Sequence, residues 1–173
     1  SNMKFMMNGA VTLGTLDGAN VEISNFVGED NAVIFGMREE EVKAIKFNGT
    51  YNPFDIYNSD PQIKAVMDSL LDGTFSSDHE QFRMIFDEIM YRNDEFMVLK
   101  DLESYLQGCK KIETDYLNRD KWGRECLVNI ACSGWFSSDR TIAEYNRDIW
   151  HLKKIHWWIT NTNEGRRMFV SLR

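Results

Sequence analysis

The chain has 173 residues, 43% of them hydrophobic and 27% charged, with a formal net charge of -7. That length suits one domain with its own core. The acidic balance argues against a nucleic-acid partner, and no apolar run approaches the roughly 18–20 residues that a membrane helix needs.

Taken in order, residues 2 to 8 suit a short helix that Asn8-Gly9 ends, since both residues tolerate left-handed backbone. Ala10 to Leu13 read as a short buried strand. A short helix over Ala19 to Ser24 follows, with Asp17 and Asn20 as candidate caps. Gly28-Glu29-Asp30-Asn31 is a turn. Ala32-Val33-Ile34-Phe35-Gly36 is an unbroken apolar run, the pattern of a parallel-sheet strand buried on both faces.

After Gly36 the pattern turns helical. Arg38 to Phe47 read as a helix stopped by Asn48-Gly49, and Tyr51 to Tyr57, with Pro53, as an irregular segment or one helical turn. Asp60-Pro61 is a strong helix start; Ile63, Val66, Met67, Leu70 and Leu71 repeat behind it and Gly73 closes the helix. Asp78 and Gln81 resemble a capping box ahead of a stripe of Phe82, Ile85, Phe86, Ile89 and Met90. A helix from about Asp101 lines up Leu102, Tyr105, Leu106, Cys109, Ile112 and Tyr116. Asp120 can cap a further helix that buries Trp122, Cys126, Leu127 and Ile130 up to Gly134. Phe136-Ser137-Ser138-Asp139 introduces a last helix with Ile142, Tyr145 and Ile149 inward. The expected fold is thus an α/β fragment, predominantly helical. It has two short parallel-type strands near the N-terminus and about seven helices behind them. Two strands are marginal as a sheet, so part of a sheet is expected to be missing.

Cys109, Cys126 and Cys132 are odd in number and lack a Cys-x-x-Cys spacing, which suits reduced, buried thiols of a cytoplasmic protein. His79, His151 and His156 are scattered, so no metal site is expected. No signal-peptide pattern opens the chain.

One residue in the first ten carries candidate chemistry. Lys4 is the only charge in Ser1-Asn2-Met3-Lys4-Phe5-Met6-Met7-Asn8-Gly9-Ala10. A Schiff base needs a neutral amine, whereas an ordinary lysine titrates near ~10.4. Burial among Met3, Phe5, Met6 and Met7 would disfavour the charged form. The plainer reading is a surface lysine on a frayed terminus. Ser1 to Glu22, including Gly14-Thr15-Leu16-Asp17-Gly18-Ala19-Asn20, resembles the pyridoxal-phosphate lysine segment of the α-glucan (glycogen, starch and maltodextrin) phosphorylases. The likeness continues through Val33-Ile34-Phe35-Gly36. It extends to Asn129-Ile130-Ala131, Ser133-Gly134, Phe136 to Ile142, Glu144-Tyr145 and Asp148-Ile149-Trp150.

The resemblance implies that residues 1 to 150 are the C-terminal part of the second of two doubly wound domains of a glycosyltransferase. It implies that Lys4 forms the Schiff base with pyridoxal phosphate, with Ser1, Asn2 and Met3 as its framework. The implied reaction is phosphorolysis: inorganic phosphate cleaves the terminal α-1,4 glucosyl unit of a glucan, releasing glucose 1-phosphate. In that family the cofactor's phosphate, rather than its ring, handles the proton. The family's lysine is preceded by Glu-Ala-Ser-Gly-Thr, whereas this chain begins at Ser1, so no complete catalytic set is expected here. The chain alone is expected to be inactive, with a non-catalytic helical interaction fragment as the alternative and self-association through uncovered surface as a consequence. Residues 151 to 173 match nothing in the resemblance. A packed extension, a non-native read-through and a small basic-aromatic binding tail all remain open for them.

Overall fold

The computed structural model describes residues 2–153. They divide into two compact units, one up to Gly134 and one from Trp135 onward. In chain order the first contains α1 (Asn2–Met7), β1 (Thr12–Thr15), α2 (Ala19–Val27), β2 (Ala32–Phe35), α3 (Glu39–Asn48), α4 (Pro53–Ser59), α5 (Pro61–Ser69), α6 (Arg83–Met90), α7 (Val98–Leu117) and α8 (Arg119–Cys132). The expected class holds: mostly helix, with two short strands at the front.

β1 and β2 run parallel, with Thr12 opposite Ala32 and Thr15 opposite Phe35, and α2 makes the crossover between them. β1 starts two residues later than the apolar run suggests. The amide of Ala10 still donates to the carbonyl of Phe5 at 3.0 Å, so residue 10 belongs to the stop of α1. Alternation along the strands puts Leu13, Thr15, Val33 and Phe35 on one face. Helix α7 covers that face through Gly108, where a Cβ would stand 2.8 Å from Leu13 Cδ1 and 3.3 Å from Val33 Cγ1. One turn back, Tyr105 meets Phe35 edge to face, with centroids 5.2 Å apart. Helix α2 packs on the opposite face, against both strands. The caps expected for α2 do not form: Gly18 precedes the helix and no side chain caps it.

Helix α8 lies against α1, α2 and α7. Its inward side is not the apolar stripe. Leu127 and Ile130 are exposed, Trp122 and Cys126 half-buried, and Glu125 and Asn129 buried. The reason is a hydrogen-bond lock. Asn129 Nδ2 donates to the Asn31 carbonyl at 2.8 Å, across to the turn before β2, and to the Glu125 carbonyl at 3.0 Å. That lock sets the rotation of α8, and counting apolar residues does not detect it. At its start Asn118, rather than Asp120, accepts from the Lys121 amide at 3.2 Å.

A second core gathers Ile63, Met67, Met90 and Leu99, with Phe54, Phe86 and Leu102 packed on it. The segment read as irregular or as one helical turn is the seven-residue helix α4. Asn52 Oδ1 accepts from the Phe54 amide at 3.1 Å and Pro53 occupies the first helical position. Asp60 starts α5 as expected, accepting from the amides of Gln62 at 2.8 Å and Ile63 at 3.2 Å. The helix stops at Ser69, before Gly73. Helix α6 begins only at Arg83, because Asp78 accepts from the Glu80 amide at 3.0 Å and folds the preceding residues into turns instead of a capping box. Ile85 of its stripe faces solvent.

The link from α6 to α7 holds Asn93, Asp94 and Met97 at φ 65°, 41° and 54°. Buried Asp94 stabilises it: Oδ2 accepts from the Tyr51 hydroxyl at 2.6 Å and from the Leu99 amide at 3.0 Å. Burial, and then the hydrogen bond and charge of Asp94, push the Tyr51 phenol well above its ordinary range.

The second unit opens inside a 3-10 turn (Ser133–Phe136) and contains α9 (Ser138–Tyr145) and a π-helical turn (Asn146–Trp150). Ser137 Oγ accepts from the Asp139 amide at 3.2 Å. The Arg140 guanidinium lies 3.9 Å from the centre of the Trp135 ring. Ile142, Tyr145 and Ile149, expected inward, are exposed, since so short a helical segment cannot enclose its own apolar stripe. The proposed tail from residue 151 lies, from 154 on, outside the described residues. No helix among the described residues is long and apolar enough to cross a membrane.

Asp94→Ala leaves a hydroxyl and an amide unpaired and should lower the unfolding free energy by about 1–3 kcal/mol, with Tyr51→Phe losing about 1 kcal/mol, both read from denaturant midpoints. Tyr51 holds its proton more tightly folded than unfolded, so its contribution is complete below its ordinary value of 10.0 and fades as pH rises past it. The midpoint of the unaltered chain should therefore fall above that pH more steeply than that of Tyr51→Phe.

Candidate functional site

Helix α1 is six residues long, too short to persist by itself in water. The carbonyls of Lys4, Phe5 and Met6 near its end are all used. The Asn8 amide donates to Phe5 at 2.9 Å, the Gly9 amide to Met6 at 2.9 Å, and Asn8 Nδ2 to the carbonyl of Lys4 at 2.7 Å. Gly9 takes φ +83° and is buried; a Cβ there would lie 3.2 Å from Ile130 Cδ1 and 3.4 Å from Cys126 Cβ. A glycine is required for the turn and also for the close approach of α1 to α8.

The helix buries one narrow stripe. Met6 is 0% exposed, whereas Phe5 and Met7 are 66% and 60% exposed. Lys4 is also exposed, which corrects the expectation that its apolar neighbours bury it. At about 100° per residue, Met6 points almost opposite to Lys4, so neighbours in sequence are not neighbours in space. Among the described residues, the Lys4 ammonium makes no hydrogen bond or ion pair. Asn2 Nδ2 donates to Asn20 Oδ1 at 2.6 Å, and Asn20 Nδ2 donates to the Thr15 carbonyl at 2.9 Å. Ser1, the other expected framework residue, lies outside the described residues, and the Met3 side chain is partly exposed.

A half-open cavity of about 480 Å³ sits at the carboxyl ends of β1 and β2, where open α/β sheets bind their ligands. Phe35, Phe96 and Tyr105 give it an apolar wall, and Asp17, Glu39, Glu95 and Asp101 line it against a single Lys46. Lys4 does not line it. Asp101 is committed to the backbone: Oδ1 accepts from the Met37 amide at 2.9 Å, and next to it Ser104 Oγ accepts from the Gly36 amide at 2.9 Å. The charge of this cavity opposes a phosphate group. Nor does any lysine or arginine side chain among the described residues hydrogen-bond to α1. These residues therefore fit the attachment of an aldehyde-bearing cofactor through the Lys4 amine but do not form a cradle for its phosphate.

The three cysteines are free and half-buried rather than fully buried. Burial, and then the Glu125 carboxylate, push the Cys126 thiol up, away from the reactive thiolate. Among the described residues no three His, Cys, Asp or Glu side chains stand together as metal ligands. The residue that sequence reasoning undervalued is Asn20. It reads as a cap, but its real signal is the glycine at position 14, which leaves room for a side chain across the strand.

The family model for carbohydrate phosphorylases matches residues 1–152. A glycogen phosphorylase of Bacillus subtilis (strain 168) is 49% identical over 152 residues, which are 88% of this chain and 19% of that protein. The brain form of glycogen phosphorylase from Mus musculus is 46% identical over 150 residues, 86% of this chain and 18% of that protein. A glycogen phosphorylase of Haemophilus influenzae is 42% identical over 156 residues, 90% of this chain and 19% of that protein. The chain spans about a fifth of the length of these relatives.

Two glycines separate backbone strain from close approach. Gly49, in the left-handed helical region at φ +61° with nothing within 4 Å of a built Cβ, should lose only about 1–2 kcal/mol on Gly49→Ala. Gly9→Ala adds the clash with Ile130 and should lose more, measured as the difference between the two denaturant midpoints.

Proposed function

The chain belongs to the carbohydrate phosphorylase family, and from that we propose that it is a C-terminal segment of a glucan phosphorylase whose cofactor lysine is Lys4. The proposed parent reaction is the phosphorolysis of terminal α-1,4-linked glucose from glycogen or maltodextrin to glucose 1-phosphate, in the cytoplasm. One observation carries this reading: the family match over residues 1 to 152, which includes the lysine segment. The geometry of α1 supports it, because Lys4 leaves an anchored helix on the open side with its amine uncommitted.

When bound, pyridoxal phosphate supplies a phosphate that donates and accepts a proton beside the substrate phosphate. This chain's own contribution is attachment and orientation. The Lys4 amine is the attachment point, Met6 and Gly9 seat its helix, and Asn2 ties the first turn to α2. Phosphate binding and glucan binding belong to groups other than those described here. The two doubly wound domains of the parent, and residues 1–150 as part of the second, form part of the same proposal.

A second reading has its own observation. Phe5 and Met7 on α1 and Leu127 on α8 are exposed apolar side chains on two helices that pack together. As an isolated object the chain is then an association module, with a second copy or the rest of the parent enzyme covering these residues. Size-exclusion chromatography should show concentration-dependent association, and a strict monomer at all concentrations contradicts it.

Incubation with pyridoxal phosphate, borohydride reduction and peptide mapping should place the adduct at Lys4 in preference to the other lysines, and Lys4→Ala should remove it. The 173 residues by themselves should release no glucose 1-phosphate from glycogen and inorganic phosphate. An adduct distributed without preference, or robust release of the sugar phosphate, contradicts the reading.

A further inference from the structure

Three elements meet at one side chain near the lysine. Asn20 stands in the first turn of α2. Its Oδ1 accepts from Asn2 in the first turn of α1 at 2.6 Å, while its Nδ2 donates to the Thr15 carbonyl at the end of β1 at 2.9 Å. One amide thus spends its acceptor on the lysine helix and its donor on the strand. Space for it is built into β1. A Cβ on Gly14 would lie 2.5 Å from Asn20 Nδ2 and 3.3 Å from its Cγ. Gly14 is not held at positive φ, so the glycine is needed here for room and not for conformation.

The far end of α1 is seated separately, by Met6 and by Gly9 against α8. Two anchors at opposite ends fix the rotation of a short helix about its axis as well as its position. With the seat at Met6 and Gly9 alone, the first turn is free to fray, and that turn carries Lys4. The bond from Asn2 to Asn20 is the only side-chain hydrogen bond among the described residues that ties the first turn of α1 to another element.

We propose that Asn20 is a positioning residue for Lys4: its amide locks the first turn of α1 to the end of β1 and so sets the direction in which the lysine amine meets an aldehyde-bearing aromatic phosphate. The proposal rests on Lys4 being the attachment lysine. It assigns Asn20 no contact with the cofactor and makes Gly14 its partner, since any side chain at 14 displaces the amide.

The test uses the full 173-residue chain and two variants that break the bridge by different chemistry. Asn20→Asp keeps the size and the acceptor but removes the donor to Thr15. Gly14→Ala leaves every polar group in place and pushes Asn20 aside. Hydrogen exchange of the α1 amides is read without cofactor. Borohydride trapping with pyridoxal phosphate is read as the share of adduct at Lys4 and as the induced circular dichroism of the trapped chromophore, which reports a fixed orientation. Both variants should exchange the α1 amides about tenfold faster, with α7 unchanged. Both should also lose most of the preference for Lys4 and most of the induced band. Unchanged α1 exchange, Lys4 preference and induced band in both variants overturn the role of Asn20 and leave Lys4 as the attachment lysine. Adduct spread evenly over the lysines of the unaltered chain overturns the attachment reading and this proposal with it, whatever the exchange shows.

Discussion

The contact on which the amino-terminal unit depends is the approach of α7 to the sheet at Gly108. A two-stranded parallel sheet is marginal by itself, with two faces and two edges to cover. Leu13 and Val33 are opposite each other in the register, and Gly108 touches both, so a single close approach clamps the strands together. A side chain at 108 would force the Leu13 and Val33 side chains to shift. The same face of α7 then reaches the end of β2. Ser104 and Asp101, one and two turns earlier, accept from the amides of Gly36 and Met37. Asp101 also crowds Gly36, where a Cβ would meet its carboxylate at 2.7 Å. The long helix is a spine that clamps both strands at Leu13 and Val33 and fixes the carboxyl end of β2.

The other face of the sheet supports the helices that seat Lys4. Helix α2 lies on it, α8 packs beside α2, and α1 is seated on both. Polar side chains tie the elements together at points where apolar contact alone would leave them free to rotate or slide. Asn129 fixes α8 to the turn before β2, and Asn20 links α1 to β1. Amides committed in this way are specific because turning the helix strands the donors that they use. The result is a lysine that points away from the core on a helix held at both ends.

Much of this was legible from the residues, and the failures have a common cause. Asn8-Gly9, Asp60-Pro61 and Asn48-Gly49 mark real boundaries because each signal is local: a left-handed stop or a side chain capping its own turn. The run from Ala32 to Gly36 is a strand because no helix pattern competes with it. The burial of Lys4 failed because apolar neighbours in sequence spread around a helix, and only Met6 faces in. The stripe of α8 failed because Asn129 and Glu125 take the inward side, against the apolar count. Tyr51 to Tyr57, left between irregular and one helical turn, is a longer helix because Asn52-Pro53 is a cap and a first-turn proline rather than a break. The family was legible from both ends of the chain, but the bridge through Asn20 and Gly14 was not, since it joins residues through space.

The seating of α1 can be measured without any cofactor. Limited oxidation by hydrogen peroxide, followed by mass spectrometry at each methionine, compares residues on opposite sides of one helix. Met7 is 60% exposed and Met6 0%, so Met7 should oxidise about tenfold faster or more, since oxidation follows access to the thioether. Met3 should fall between them. Equal rates at Met6 and Met7 would mean that α1 is not seated by Met6, and the outward placement of Lys4 would fall with it.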